Sequence, residues 1–450
     1  MNEHNQENGI TNGVIWKQLL IFFFPILLGT FFQQLYNTVD AIVVGKYVGK
    51  EALGAVGGAT GSIINLLIGF FVGVASGASV IIAQFYGAKN EENTSKAVHT
   101  AIALGLCGGI FFTIIGFTIS PMALRLMGTP EDILSHATTY IQVYFLGTIF
   151  NLLYNIGSGI LRAVGDSKRP LYFLIICSFV NIVLDLIFVA NFHLGVLGAA
   201  LATLISQIIS GLLVLNALMK TTDIYRLTLK KIGFHFSILK NIIQIGLPAG
   251  LQSVMYTSSN IIIQACINTF GTNTVAAWTA YSKIDGIFWM IMSAFGISIT
   301  TFAGQNYGAN KFDRIKKSVR VCLGMAMVTA FGISAFLGIF GKYVYLLFTN
   351  DPAVIEIGMK ILGVFVPFYF TYVCIEVLSG AIRGTGNSLI PMILTCLGVC
   401  VLRIVWIYTV VPLHHTLEMV AASYPITWAV TSILFIIYYM RGTWLKKGRY

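Results

Sequence analysis

Long apolar runs, each closed by charged or turn-forming residues, recur twelve times along the chain. They cover about 18–43, 53–83, 97–120, 137–161, 171–190, 196–218, 241–268, 275–303, 318–340, 358–382, 391–411 and 420–440. A helix needs ~20 apolar residues to cross hydrocarbon, and each run meets that length. The pattern therefore predicts an all-α polytopic membrane protein with twelve transmembrane helices. The second and eighth runs are overlong, which predicts tilt or a helix start outside the hydrocarbon.

Composition agrees: 56% of the 450 residues are hydrophobic and only 10% are charged, too few to cover a soluble surface of this size. The longest polar stretch, 220–240, is too short to fold alone and reads as a cytoplasmic linker. Of the 28 Lys and Arg residues, 21 fall in loops on the side of the N-terminus, including Lys311, Arg314, Arg441, Lys446, Lys447 and Arg449. Five, Lys46, Lys50, Arg125, Lys342 and Lys360, fall on the opposite side. That bias predicts an integral plasma-membrane protein with both termini in the cytoplasm. It also accounts for the net charge of +11 without nucleic acid, since the positives sit beside anionic lipid head groups.

The first run is too long for a cleaved leader and continues into Tyr36-Asn37-Thr38-Val39-Asp40 without a small-residue cleavage site. The seven cysteines form no CxxC pair and the histidines no HExxH, so no disulfide, metal or cofactor is expected. No nucleophile with a base, and no metal triad, lies inside the runs. An enzyme is not expected.

The chain repeats itself at an offset of 221. Gln84-Phe85-Tyr86-Gly87-Ala88 returns as Gln305-Asn306-Tyr307-Gly308-Ala309, and Ser158-Gly159-Ile160-Leu161-Arg162-Ala163-Val164-Gly165-Asp166-Ser167 as Ser379-Gly380-Ala381-Ile382-Arg383-Gly384-Thr385-Gly386-Asn387-Ser388. Pro25 roughly answers Pro248. Six spans per repeat is an even number, so both halves enter the membrane in the same direction. The expected organisation is an N-terminal six-helix bundle (1–219) and a C-terminal one (241–450), related by a pseudo-two-fold axis along the membrane normal and enclosing a cavity. A static pore would need a filter motif, and none is present. Gly57, Gly61, Asn65, Gly69, Gly73 and Gly77, every fourth residue of the second run, make a smooth stripe suited to close helix packing.

Ionisable groups inside spans cost several kcal/mol, so each needs a partner or a role. Asp40 and Asp185 each lie near the outer end of their spans, Asp185 six residues before Asn191, at a depth of about 9 Å at 1.5 Å per residue. Asn181 sits one turn from Asp185, and Thr203 on the next span is at about 10 Å. Two carboxylates, an amide and a hydroxyl at one depth suit a small hard cation such as Na+. They suit a proton equally, because neighbouring carboxylates resist double ionisation. Pro25 removes a backbone hydrogen bond fifteen residues before Asp40, which predicts a bend. Tyr36, Asn37, Tyr140 and Asn155 are candidate lining for a substrate cavity that would favour bulky organic cations. In the second half, Lys283 and Asp285 point to different sides of their helix, while Glu376 and Arg403 could pair.

These features resemble the multidrug and toxic compound extrusion (MATE) transporters. The resemblance rests on the twelve spans in two repeats, the Leu35-Tyr36-Asn37-Thr38-Val39-Asp40 segment, the Gln-x-Tyr-Gly-Ala ends and the paired Gly-x-x-Arg-x-x-Gly-[Asp/Asn]-Ser loops. It implies a V-shaped pair of bundles that extrudes drugs or metabolites in exchange for H+ or Na+. It also implies that Asp40, Asn181, Asp185 and Thr203 are the ion-coupling cluster and Pro25 the bending proline. Tyr256 and Tyr372 stand where the NorM-like branch has acidic residues, so the chain looks closer to the DinF-like branch. The expected function is a secondary-active efflux antiporter, a monomer in the lipid bilayer, acting on small organic molecules that are foremost cationic. The alternative is a flippase for a lipid-linked oligosaccharide or other amphipathic precursor, which would need a strongly basic cavity; only Lys283 and Arg403 are candidates for it.

Overall fold

The computed structural model describes residues 9–445, apart from the side chain of Lys50; Lys446, Lys447 and Arg449 lie outside that range. Among the described residues the secondary structure is helical throughout, with no strand. The long helices are α1 (Ile15–Tyr47), α2 (Ala59–Gly87), α3 (Glu91–Leu126), α4 (Glu131–Leu146), α5 (Thr148–Ala163), α6 (Lys168–Asp185) and α7 (Gly195–Lys220) in the first half. The second half has α8 (Phe236–Asn268), α9 (Thr272–Gly308), α10 (Phe312–Leu346), α11 (Pro352–Phe365), α12 (Tyr369–Gly384), α13 (Leu389–Thr395), α14 (Leu402–Thr409) and α15 (Leu417–Met440).

Ten helical stretches are long and apolar enough to cross a membrane, and α4 with α5, bent by 48° about Gly147, make an eleventh. The twelfth expected span is α8, which has the length, 33 residues, but is diluted by Asn241, Gln244, Gln252, Asn260 and Gln264. Several spans depart from the continuous helices expected for them. The fourth breaks at Gly147. The tenth carries a 3₁₀ turn, Val366–Phe368, where Pro367 cannot donate to the helical ladder. The eleventh joins α13 to α14 through a π-helical turn, Cys396–Val401, and a second such turn, Leu186–Asn191, continues α6 directly after Asp185. Insertions of this kind re-aim side chains and are frequent at functional sites.

Contacts divide the chain into two compact units, Phe24–Gly250 and the remainder, Leu251 onward together with the segment ending at Phe23. Helices α1 and α8 each cross the division. In the second unit the first turns of the chain are pinned to α9 and the start of α10. Phe23 stacks on Phe295 at 4.3 Å between ring centres, and Lys311 Nζ and Arg314 Nε donate to the carbonyls of Thr11 and Ile10, each at 3.0 Å. In the first unit the linker is tied to α3, where His99 Nε2 accepts from the Thr228 amide at 3.0 Å and Thr100 Oγ1 from the His235 amide at 3.2 Å.

Lipid tails are as apolar as Leu, so helix association here depends on close packing. The glycine stripe of α2 supplies it at one end only. A Cβ on Gly73 would fall 2.3 Å from the Gly250 nitrogen, and one on Gly77 would fall 2.4 Å from the Ile242 carbonyl oxygen, whereas one on Gly57 would meet nothing within 4 Å. The repeated loops have a local cause as well. Gly165 and Gly386 take φ of 98° and 94°, the left-handed region that a side chain disfavours. The next residue caps the following helix: Asp166 Oδ1 accepts from the amides of Lys168 and Arg169, and Asn387 Oδ1 from that of Ile390.

Candidate functional site

In the first unit α1, α4, α6 and α7 bring polar side chains together in a region with almost no water access. Asp40 is 5% exposed, Asp185 0%, Asn181 1% and Thr203 6%. The hydroxyl of Tyr140 donates to Asp40 Oδ2 at 3.4 Å and also faces Asp185 and Thr203, and Asp185 lies within electrostatic reach of Asp40. Asn181 and Thr203 share a cavity of about 40 Å³ with Tyr36 and Asn155. The share of liquid volume taken by one water is ~30 Å³, so this space fits a water or a bare cation and not an organic molecule.

The cluster is left unsatisfied. Oδ1 of Asp40, both carboxylate oxygens of Asp185, both amide atoms of Asn181 and the hydroxyl of Thr203 are buried with no hydrogen-bond partner in the protein. Buried polar groups are paired in the large majority of cases, so six orphans in one place indicate chemistry that the chain does not itself complete. A carboxylate with free oxygens can take a proton or coordinate a hard cation, which prefers oxygen ligands.

Tyr140, which the sequence placed with the cavity lining, instead joins Asp40 to the neighbourhood of Asp185 and Thr203. Tyr36 and Asn155 line the small cavity, but the Asn155 amide is occupied by Asn151 on its own helix, at 2.9 and 2.8 Å. Asn37 is exposed. Pro25 lies within α1, which runs as one helix from Ile15 to Tyr47.

The second unit holds a different site, a cavity of about 500 Å³. Lys283 is exposed while Asp285, two residues on, is buried, as their spacing predicts. Asp285 is fully engaged: Tyr369 donates to Oδ1 at 2.9 Å and Trp289 Nε1 to Oδ2 at 2.6 Å. Glu376 accepts from Tyr372 at 3.0 Å and lies within electrostatic reach of Arg383. The pairing of Glu376 with Arg403 does not form. The π turn before α14 directs Arg403 toward α15, where its guanidinium covers the Tyr424 ring at 3.7 Å and Nη2 donates to Thr427 at 3.2 Å. Sequence reading missed the aromatic wall of this cavity. Its rings are Tyr256 on α8, Trp278, Tyr281 and Trp289 on α9, Tyr372 on α12 and Tyr424 on α15.

Comparison with known proteins gives these sites a context. The sequence profile of the MatE family matches twice, at residues 25–187 and 248–409, in step with the internal repeat. The chain is 28% identical to the probable multidrug resistance protein YoeA of Bacillus subtilis (strain 168), covering 96% of this chain and 95% of that one. It is 30% identical to the probable multidrug resistance protein YpnP of the same organism, covering 87% and 88%. Among solved structures, an outward-facing multidrug resistance MATE family transporter of the MOP superfamily superposes with a TM-score of 0.91 at 26% identity, over 99% of this chain and 100% of that one. A MATE structure described as straight gives a TM-score of 0.90 at 27% identity, with 99% and 100% coverage. One described as bent gives 0.91 at 26% identity, with 98% and 99%. With two matched repeats covering most of its length, the chain belongs to the MatE family of integral membrane transporters.

Proposed function

We propose that this transporter is a secondary-active antiporter that exports organic compounds, foremost cations, in exchange for a proton or a sodium ion. The ion is taken from outside by Asp40, Asn181, Asp185 and Thr203, with Tyr140 bridging them. Support comes from the six unpartnered buried atoms of that cluster. Leaving them empty is costly in a dry interior, and a proton or a hard cation relieves that cost. The ion therefore favours one arrangement of α1, α6 and α7 over another, and such a difference in affinity is what lets a gradient move a two-state protein. Pro25 gives α1 a weak point between this cluster and the cytoplasmic end of the helix. The names of the relatives, multidrug resistance proteins, support an organic substrate. Both termini face the cytoplasm of a plasma membrane in this reading.

The test is uptake of a fluorescent organic cation into everted vesicles under separately imposed Na+ and H+ gradients, comparing the parent with Asp40→Asn and Asp185→Asn. One gradient should drive uptake in the parent and neither should do so in the variants. Parent-like uptake by both variants under either gradient refutes the assignment.

A further inference from the structure

The small cavity of the first unit does not stop at the ion cluster. From Asn181 and Thr203 its lining continues on α7 through Ser206, Gln207 and Ser210, and on α5, which packs against α7, through Asn151, Tyr154 and Asn155. Positions 203, 206, 207 and 210 share one face of α7, and Ser210 lies ~10 Å further along the helix than Thr203. The polar face of α5 goes on beyond the cavity, three and then four residues at a time, to Ser158 and Arg162. Both helices run toward the same end of the bundle, where α5 closes with Arg162 in its last turn and α7 with Lys220.

Two polar atoms along this row have their bonds unmade. Gln207 Oε1 occupies the room left by Gly147 at the bend between α4 and α5, where a Cβ would fall 1.8 Å from it, and it has no hydrogen-bond partner in the protein. Ser158 Oγ, which faces Tyr154, is likewise buried and unpartnered. Such groups in a narrow polar space are where single waters bind, and a row of waters and hydroxyls passes protons where a hydrated ion does not fit. Arg162 stands at the end of the row. It is half-buried, Tyr154 lies within its electrostatic reach, and it is absent from the ion pairs of the described residues, which are Lys96 with Glu92, Arg169 with Asp166 and Lys360 with Glu356. Its repeat counterpart Arg383 is offset: Nη2 donates to Gln252 Oε1 at 3.3 Å, and Glu376 lies within electrostatic reach. A fixed guanidinium without a counter-charge repels a cation or proton approaching along a narrow path.

We propose that the polar faces of α5 and α7 form a proton relay leading inward from the ion cluster, and that Arg162 is the electrostatic plug that holds it shut. The inference rests on the antiporter reading, in which the ion enters from outside at Asp40 and Asp185 and an open inner path would dissipate the gradient. No group is consumed: each water or hydroxyl that passes a proton on takes one from the group behind it, and Gln207 orders the water between Thr203 and Ser210.

The test is proton entry into liposomes carrying the purified protein and trapped pyranine, after an external acid step, with potassium on both sides and valinomycin to balance charge. Organic substrate is omitted, so exchange does not contribute. The parent should admit protons no faster than protein-free liposomes. Arg162→Gln should admit them at least about tenfold faster, the change that ~1.4 kcal/mol of barrier makes. Arg162→Lys, which keeps the charge, should stay as tight as the parent, and adding Gln207→Leu to Arg162→Gln should abolish the leak. A tight Arg162→Gln overturns the proposal, as does a leak of equal size in Arg162→Lys or one that Gln207→Leu leaves intact. Should Arg162→Gln not purify as a monodisperse protein, Arg162→Met replaces it with the same outcomes. Organic-cation uptake by Asp40→Asn and Asp185→Asn is read separately: if it stays parent-like, the coupling reading falls, while the leak measurements still decide the role of Arg162.

Discussion

The two repeats share a scaffold and treat their buried carboxylates in opposite ways. In the first unit Asp40 and Asp185 have three oxygens with no partner, and the cavity lined by Asn181 and Thr203 measures about 40 Å³. In the second, Asp285 has a phenol on one oxygen and an indole on the other beside a cavity of about 500 Å³. The repeat offset of 221 places Trp406, Leu402 and Tyr424 opposite Asp185, Asn181 and Thr203, and the proline pair places Ile263 opposite Asp40. The duplicated fold thus keeps its loop motifs while every polar member of the first unit's cluster is replaced by an apolar or aromatic residue. A carboxylate whose bonds are unmade can gain and lose an ion at small cost, whereas one whose bonds are made is a fixture. The lesson is that satisfaction of the lone pairs, and not burial alone, separates the two sites.

The comparison is broken most directly by Asp185→Asn. Gradient-driven uptake should fall by about tenfold or more, because ~1.4 kcal/mol of lost differential ion binding already shifts an equilibrium tenfold. Asp285→Asn should do the converse. It replaces a charged acceptor and loses about 1.5–3 kcal/mol for each charge-assisted bond. The thermal midpoint of the purified protein should drop while the ion dependence of uptake by the folded fraction stays as in the parent. A shift of ion dependence in Asp285→Asn would erase the distinction drawn here. Next in size is Gly77→Ala, whose methyl would press on the Ile242 carbonyl and should cost about 1–3 kcal/mol of stability by overpacking. Gly57→Ala, with open space around it, is its control in the same thermal-shift measurement. Tyr140→Phe removes a 3.4 Å bond to Asp40 and should change stability by at most ~1 kcal/mol, while shifting the ion concentration for half-maximal uptake. Lys283→Ala, at an exposed position, should leave both readings within ~0.5 kcal/mol of the parent.

Much of this was legible in the residues. Depth counting placed Asp40, Asn181, Asp185 and Thr203 at one level because a helix advances by a fixed rise; in the structure all four are buried, and Asn181 and Thr203 line one small cavity. The repeat motifs were legible because a left-handed glycine and the cap that follows it are local requirements, met at Gly165 with Asp166 and again at Gly386 with Asn387. The aromatic wall around Asp285 was not legible. Its rings come from four separate helices, and apolar periodicity in a membrane helix gives no sign of which face meets protein and which meets lipid. The open possibility that Arg403 pairs with Glu376 does not materialise for a related reason: a π turn of six residues, Cys396–Val401, changes the face on which everything after it emerges.

What the sequence determined by itself is the membrane class, the duplicated architecture and the level of the acidic cluster, since length, hydropathy and rise per residue act along one helix at a time. Tertiary structure decided which carboxylates keep free lone pairs and which gain a phenol from another helix. The Trp289 indole reaches Asp285 from one turn along the same helix, but the Tyr369 phenol comes from a helix far away in the chain, and its bond depends on rotations about helix axes that no local pattern encodes.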